Sequence, residues 1–241
     1  MSIEPIPSVS RCQLWRVDLD AVAAPEAAAC LSNEEWGRAH RFVFARDRRR
    51  FIAAHAALRS TLSARTGIPG AFLDFTLGAN GKPALVYPPD VHFNLSHSQS
   101  VGLIAVGERD QIGVDVEVLR HMPDVDAMAA AYFTPAEQRA LEATPPEERD
   151  RAFLCCWTRK EACLKAMGTG LGGVDTRSFE AGLGGDPREV RIHRDHMQVR
   201  IELVSFDGGP GIVCALARVV ATETPSLVAP HLAAPQRELC A

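Results

Sequence analysis

The sequence has no run of about 18 apolar residues, so no membrane-spanning helix is predicted. Its seven cysteines are odd in number and contain no C-x-x-C pair, which argues against a disulfide framework and favours a reduced, cytoplasmic protein. Positive charge is not in excess, because 26 Lys and Arg stand against 30 Asp and Glu. A general nucleic-acid-binding protein is therefore not expected.

Two common catalytic signatures are also missing. No G-x-x-x-x-G-K-[ST] phosphate loop occurs, and no G-x-S-x-G nucleophile elbow occurs. His193 and His196 are close in sequence but have no cysteine or third ligand near them, so a zinc site is not predicted. The residues that are present, 46% of them hydrophobic, suit a globular protein with a sizeable core.

Helix and strand patterns follow one another in a similar order in the two halves of the chain, which hints at an internal duplication. The first half shows a strand at 11–19, a helix over 36–66, a short strand at 72–77 and strands at 91–95 and 101–106. The second half shows a strand at 112–118, a helix that Thr134 opens, a helix over 150–167, and strands at 190–192, 199–203 and 212–219. The spacing of the runs 91–95, 101–106 and 112–118 predicts an antiparallel meander.

Two acidic residues alternate with apolar ones in the run 112–118. On a strand, Asp115 and Glu117 would share one face and lie roughly 7 Å apart, while the valines and Ile112 face the core. Carboxylates this close repel each other unless a positive charge lies between them, and Mg²⁺ commonly takes one or two carboxylates together with substrate phosphates. The alternative is a solvated strand face.

A third carboxylate interrupts an apolar helix face. Leu154, Trp157, Glu161, Leu164 and Gly168 fall at helical spacing, so Glu161 would lie in the middle of an apolar stripe. An unpaired carboxylate there would be costly, and it needs a cation, a metal or a hydrogen-bond network. The alternative is a plain salt bridge with Lys165, one turn further along the helix.

Two further segments could receive an anion. Ser96-His97-Ser98 is predicted to lie in a turn after a strand, with hydroxyls and an imidazole exposed, although a polar hairpin loop would look the same. A basic cluster lies in the predicted first helix and suits a phosphate group as well as a solvated helix face. Its members are Arg38, His40, Arg41, Arg46, Arg48, Arg49 and Arg50.

In order and spacing, these segments resemble the 4′-phosphopantetheinyl transferases of the surfactin-synthetase-activating (Sfp) type. The resemblance covers roughly residues 35–175. It is carried by Arg38-x-x-x-Phe42, Ala45-Arg46-Asp47, Gly81-Lys82-Pro83, Phe93-Asn94-Leu95-Ser96-His97-Ser98, Gly113-Val114-Asp115-Val116-Glu117, Phe133-Thr134-x-x-Glu137 and the segment from Trp157 to Leu171.

The resemblance implies an α+β fold of two pseudo-duplicated halves, each an antiparallel sheet with helices, with the active site at their junction. The halves would be residues 1–110 and 111–222, followed by a loose tail at 223–241. It implies that Asp115, Glu117 and Glu161 bind Mg²⁺, with Mn²⁺ as an alternative. Coenzyme A, the substrate, would contact Arg38, Arg46, Gly81, Lys82, Pro83, Asn94, Ser96, His97 and Lys165.

The implied reaction is Mg-dependent transfer of 4′-phosphopantetheine from coenzyme A to a serine of an apo acyl or peptidyl carrier protein, releasing 3′,5′-ADP. Glu161, Lys165 and Asp115 would be catalytic, with Glu161 or a metal-bound water as the base. Some members of the family carry a base where Glu35 stands, so Arg41, Arg46 or Arg50 is expected to take over 3′-phosphate contacts.

The enzyme is expected to be a cytoplasmic monomer that binds neither nucleic acid nor membrane, with the segment 121–133 as part of the carrier surface. The alternatives are a non-catalytic module that binds coenzyme A or nucleotides, and a metal-dependent phosphohydrolase acting on coenzyme A.

Overall fold

The computed structural model describes residues 2–21 and 28–223, so the predicted tail lies outside the described residues apart from its first one. The strands are β1 (Ser2–Val9), β2 (Cys12–Asp18), β3 (Phe75–Leu77), β4 (Pro83–Leu85), β5 (Val91–Ser98), β6 (Val101–Glu108), β7 (Ile112–Val118), β8 (Arg188–Arg194), β9 (Met197–Asp207) and β10 (Ile212–Glu223). The helices are α1 (Asn33–His40), α2 (Ala45–Thr66), α3 (Val125–Tyr132), α4 (Pro135–Glu142) and α5 (Pro146–Met167), with 3-10 turns at Gly70–Phe72 and Thr176–Ser178. In the described ranges, none of these helices has the length and apolar character needed to cross a membrane.

Two four-stranded antiparallel sheets form the framework. The strand order is β1-β2-β6-β5 in the first and β7-β10-β9-β8 in the second, and β3 pairs with β4 as a separate ribbon. The predicted α+β fold of two sheet-and-helix halves is thereby confirmed.

Local capping signals determine where several helices begin and end. Ser32 with Glu35, and Thr134 with Glu137, form reciprocal capping boxes at the starts of α1 and α4. The long helix α2 ends at Gly67 and the long helix α5 ends at Gly168. Both glycines have a positive φ, a conformation that glycine adopts without a Cβ clash.

The predicted helix over 36–66 is instead two helices. Residues 41–44 interrupt it, and α2 begins only at Ala45. Phe42 folds back so that its ring lies 5.3 Å from that of Phe51 on α2, a contact that a continuous helix would not allow. Elsewhere β1, β4 and α3 have no counterpart in the predicted elements, and α5 begins four residues earlier than expected.

The predicted meander is also wrong in its third strand. β5 and β6 pair as expected, but β7 pairs with β10 in the second sheet. The segment Ser96-His97-Ser98 was predicted to lie in a turn, but it forms the last three residues of β5. The turn comes at residues 99 and 100.

One core cluster crosses the junction of the halves. Leu14 and Leu103 of the first sheet pack with Val114, Val116 and Leu216 of the second. Because this buried apolar surface is shared, the position of β7 relative to β5 is set by packing as well as by polar contacts.

Candidate active site

One edge of β7 faces β5 without backbone–backbone hydrogen bonds between the two strands. Side chains of β5 bind the backbone of β7 there instead. Asn94 and Ser98 accept hydrogen bonds from backbone N–H groups of β7, at 2.8 and 3.3 Å. Ser96, between them, donates to Asp115 Oδ1 at 2.8 Å. Alternate residues of a strand point to the same side, so one face of β5 forms this polar seam.

Asp115 lies at the centre of the seam and is buried. Lys165 Nζ approaches its Oδ1 to 2.6 Å, whereas Oδ2 is buried without a hydrogen-bond partner among the described residues. Burial raises the pKa of Asp115. The charge and hydrogen bond of Lys165 and the hydroxyl of Ser96 oppose that rise, and the charge of Glu117 adds to it.

Glu117 lies on the same strand, two residues further along. It accepts hydrogen bonds from Ser98 Oγ at 2.7 Å and from Arg120 Nη1 at 2.6 Å. The Glu117 side chain is 17% exposed and that of Asp115 is 7% exposed, so Glu117 is the more solvent-accessible carboxylate of the two.

Glu161 reaches the same cluster from α5. Its Oε1 is buried and has no hydrogen-bond partner in the described part of the chain. Desolvation raises the pKa of Glu161, Lys165 opposes the rise, and the negative charges of Asp115 and Glu117 reinforce it. This mutual influence places the three predicted carboxylates in one electrostatic environment.

A glycine allows the helix to approach the strand so closely. A β-carbon on Gly113 of β7 would lie 2.2 Å from the backbone nitrogen of Ala166 and 2.3 Å from the carbonyl oxygen of Ala162, both on α5. Any larger residue would push α5 outward, and Glu161 and Lys165 would move away from Asp115 with it.

The chemistry of this cluster suits a hard cation. Among residues 2–21 and 28–223, no three His, Cys, Asp or Glu side chains form a ready-made metal cluster. Asp115 and Glu161 nevertheless each hold a buried carboxylate oxygen without a partner, and Glu117 adds a third negative charge. Oxygen donors of this kind are the ligands that Mg²⁺ and Mn²⁺ prefer, so the residues fit such an ion.

The basic residues form a path that leads away from the carboxylates. His97 follows Ser96 on β5, and its pKa is lowered by desolvation and then by the positive charges of Lys165, His55, Arg50 and Arg38. The cationic path is defined here as Lys165, His97, His55 and Arg38. Lys165 and Arg38 carry its charge, whereas His97, with its lowered pKa, offers ring nitrogens for hydrogen bonds. The path gives the junction the positive potential that a chain of phosphates needs.

A cavity of about 410 Å³ adjoins the far end of the path. Its lining includes Arg38, His55, Gly81 and Pro83, three of which are predicted contacts of coenzyme A. The mixture of charged side chains with an aromatic ring, Phe75, suits a nucleotide.

Besides Ser96 and Lys165, which bind Asp115, three further predicted contacts of coenzyme A have protein partners here. Lys82 Nζ donates to Gln111 Oε1 at 3.1 Å and to two backbone carbonyls of the second half, and burial lowers its pKa to about 8. Asn94 is engaged with β7, and Arg46 pairs with the adjacent Asp47 on the outside of α2.

Glu35 stands where some members of the family carry a basic residue, and in this structure it belongs to the site. It accepts hydrogen bonds from His55 Nδ1 at 2.9 Å and from Arg59 Nε at 2.7 Å. Burial by itself would raise the pKa of Glu35, but the hydrogen bonds of His55 and Ser32 together with Arg59 lower it to about 2. The spacing of Ser32 and Glu35 in the sequence indicates a helix cap. It does not indicate the contacts of Glu35 with His55 and Arg59.

Glu35→Gln is expected to weaken the dependence of stability on pH in acid. The folded pKa of about 2 lies below the usual 4.5, so the ionised carboxylate stabilises the folded state above pH 4.5, and this stabilisation is lost as the pH falls toward 2. Urea denaturation between about pH 5 and 2.5 should therefore show a steeper loss for the wild type than for the variant. Equal slopes would mean that Glu35 is not held in this network.

The amino-acid sequences of both halves of the chain match family models of one kind of enzyme. Residues 111–217 match the family described as the 4′-phosphopantetheinyl transferase superfamily, and residues 19–109 match 4′-phosphopantetheinyl transferase, N-terminal. The chain is 40% identical to the 4′-phosphopantetheinyl transferase HetI of Nostoc sp. over 163 residues, which cover 66% of this chain and 69% of that protein. It is 31% identical to psf-1 of Bacillus pumilus (69% and 70% covered) and 30% identical to Sfp of Bacillus subtilis (72% and 71% covered), both named 4′-phosphopantetheinyl transferases.

Proposed function

Because this chain belongs to the 4′-phosphopantetheinyl transferase superfamily, we propose that it transfers the 4′-phosphopantetheine group of coenzyme A to a serine of an apo acyl or peptidyl carrier protein. The second product is 3′,5′-ADP. The observation that supports this most strongly is the meeting of Asp115, Glu117 and Glu161 beside Lys165, at the end of a cationic path.

In the proposed reaction, the serine oxygen forms a bond to the β-phosphorus of coenzyme A. The bond from that phosphorus to the bridging oxygen breaks, and the oxygen leaves as part of 3′,5′-ADP. Glu161 takes the serine proton, directly or through a water, because it reaches the cluster from α5 with a buried carboxylate oxygen that has no partner among the described residues.

Asp115, Glu117 and Glu161 would hold a divalent cation, Mg²⁺ or Mn²⁺, which would supply positive charge against the pyrophosphate of coenzyme A. Lys165 stabilises the negative charge on the leaving phosphate, since its ammonium group already lies at the cluster. Ser96 positions Asp115 through the hydrogen bond across the seam.

The nucleotide end of coenzyme A is proposed to occupy the cavity beside Gly81 and Pro83. Arg38 and His97 bind its phosphates along the cationic path. Arg59 is committed to Glu35 and to backbone carbonyls, so it contributes shape rather than free charge to this cavity.

Incubation with coenzyme A, Mg²⁺ and an apo carrier protein is expected to add about 340 Da, the mass of one phosphopantetheine group, to the carrier. Intact-mass spectrometry measures the adduct, and a panel of fatty-acid, polyketide and nonribosomal-peptide carriers would define the substrate range. Chelation by EDTA should stop the reaction, and added Mg²⁺ or Mn²⁺ should restore it.

A reaction without acceptor separates the two alternatives. Release of free phosphopantetheine from coenzyme A would identify a phosphohydrolase instead, and binding of coenzyme A without any product would identify a non-catalytic module. We further propose that the enzyme acts as a cytoplasmic monomer, which size-exclusion chromatography and cell fractionation test.

A further inference from the structure

The proposed reaction needs a surface that receives the carrier protein, and the segment predicted for it, 121–133, offers a partner its outer face only. Within 121–133, Met122, Val125, Ala129 and Phe133 are buried in the core of the second half. Their apolar side chains pack beneath the surface around α5, so they are not available to a partner.

A different apolar group is exposed at the break between α1 and α2. Val43 is 89% exposed and Phe44 is 67% exposed, and neither packs in a core cluster of the described residues. Two adjacent large hydrophobic side chains in this state cost hydration free energy unless a partner covers them. We call Val43 and Phe44 the α1–α2 patch.

The α1–α2 patch is physically continuous with the proposed active site. Phe42, the preceding residue, contacts Phe51 with ring centroids 5.3 Å apart, and Phe51 contacts His55 at 4.0 Å. His55 belongs to the cationic path and influences the pKa of His97. A protein seated on the patch therefore lies at the outer end of the path along which coenzyme A is proposed to bind.

The charge around the patch is positive. Arg41, Arg48 and Arg49 are exposed and have no ion-pair partner in the described ranges, whereas Arg46 and Arg50 pair with aspartates. Apolar anchors with a charged rim are the usual anatomy of a protein–protein interface, and a rim of arginines selects an acidic partner.

We propose that the α1–α2 patch is a docking surface for an acidic carrier protein, which covers Val43 and Phe44 with an apolar face and meets the arginines with carboxylates. This inference rests on the proposed function.

The test is the double variant Val43→Ser and Phe44→Ser. Phe44 is the N-cap residue of α2 and makes no side-chain cap, so a serine there removes the ring and supplies a capping hydroxyl. The KM for the apo carrier should rise at least about tenfold, while kcat and the KM for coenzyme A stay within about twofold.

Phe72→Ser is the matched control. Phe72 is also an exposed aromatic, 74% accessible, but it follows the opposite end of α2. The turn that carries Phe72 folds back beside Arg59, whose Nη1 donates to the carbonyls of Gly70 and Leu73. Arg59 lies about 21 Å along α2 from Ala45, so this substitution should leave the KM for the carrier unchanged. Arg48→Glu should raise the KM for the carrier and flatten its dependence on salt, since it reverses a charge on the rim.

An unchanged KM for the carrier in the double variant, with transfer still measurable, would overturn the docking surface and leave the proposed function intact. Absence of transfer in the wild type would instead reject the proposed function. A chain ending at Glu223 tests another occupant, the chain's own residues 224–241. If the double variant raises the KM for the carrier only when residues 224–241 are present, the patch receives the chain's own tail and the docking proposal fails.

Discussion

Glu161→Gln should lower the rate of phosphopantetheine transfer by at least about 10³-fold, within the range of about 10²–10⁴-fold that general acid–base catalysis contributes. Glutamine keeps the size of the side chain and removes its charge. Because Asp115 and Glu117 repel the Glu161 carboxylate, removing that charge should leave the free energy of unfolding unchanged or increased. Intact-mass kinetics measure the transfer, and urea denaturation measures the stability.

Asp115→Asn should cause a loss of similar size, since it removes a negative charge from the same cluster and the ion pair with Lys165. Glu147→Gln is the control, because Glu147 is exposed on the first turn of α5, about 21 Å along the helix from Glu161. Transfer by Glu161→Gln within about tenfold of the wild type would exclude Glu161 from both proposed roles.

The residues of the candidate site were visible in the sequence because their patterns are local. Alternation on β7 separates Asp115 and Glu117 from the buried valines, and helical spacing places Glu161 within an apolar stripe of α5. Each pattern needs only a few consecutive residues. No local pattern predicts that β7 and α5 are in contact. Only the resemblance to a family predicted that their carboxylates share one site.

The partners of β7 could not be predicted in the same way. Spacing favoured pairing with β6, the preceding strand, but the observed neighbour β10 is nearly a hundred residues away. The side-chain seam of Asn94, Ser96 and Ser98 explains why β5 borders β7 without a backbone ladder. Three small polar residues at alternate positions are the sequence signal for it, but they predict equally well a strand with one solvated face.

The burial of two adjacent basic residues in α5 could not be predicted from the sequence either. Arginine and lysine side chains are rarely buried, yet Arg159 and Lys160 are both fully buried. Their partners are backbone carbonyls of the loop after α5, including those of Thr176, Phe179 and Ala181. Loop carbonyls carry no sequence signature, because every residue has one.

Lys160→Met is therefore expected to destabilise the fold by about 3–5 kcal/mol, the cost of breaking a buried ion pair on one side. Lys160 Nζ lies 2.8 Å from Glu137 Oε2, and the two side chains are only 1% and 3% exposed. Burial by itself would raise the pKa of Glu137, but Lys160 and backbone hydrogen bonds lower it, so the carboxylate stays charged. Urea denaturation of Lys160→Met measures the loss.

Adding Glu137→Gln to Lys160→Met should recover part of that stability. The second substitution removes the uncompensated charge, while the amide keeps an oxygen to accept the hydrogen bonds from Ala181 and Gly182. The two substitutions should thus be strongly non-additive in a double-mutant cycle. Arg151→Met, exposed on the same helix, should change stability by less than about 0.5 kcal/mol. Additive losses would show that the carbonyl contacts of Lys160, rather than its pairing with Glu137, hold α5 against the loop.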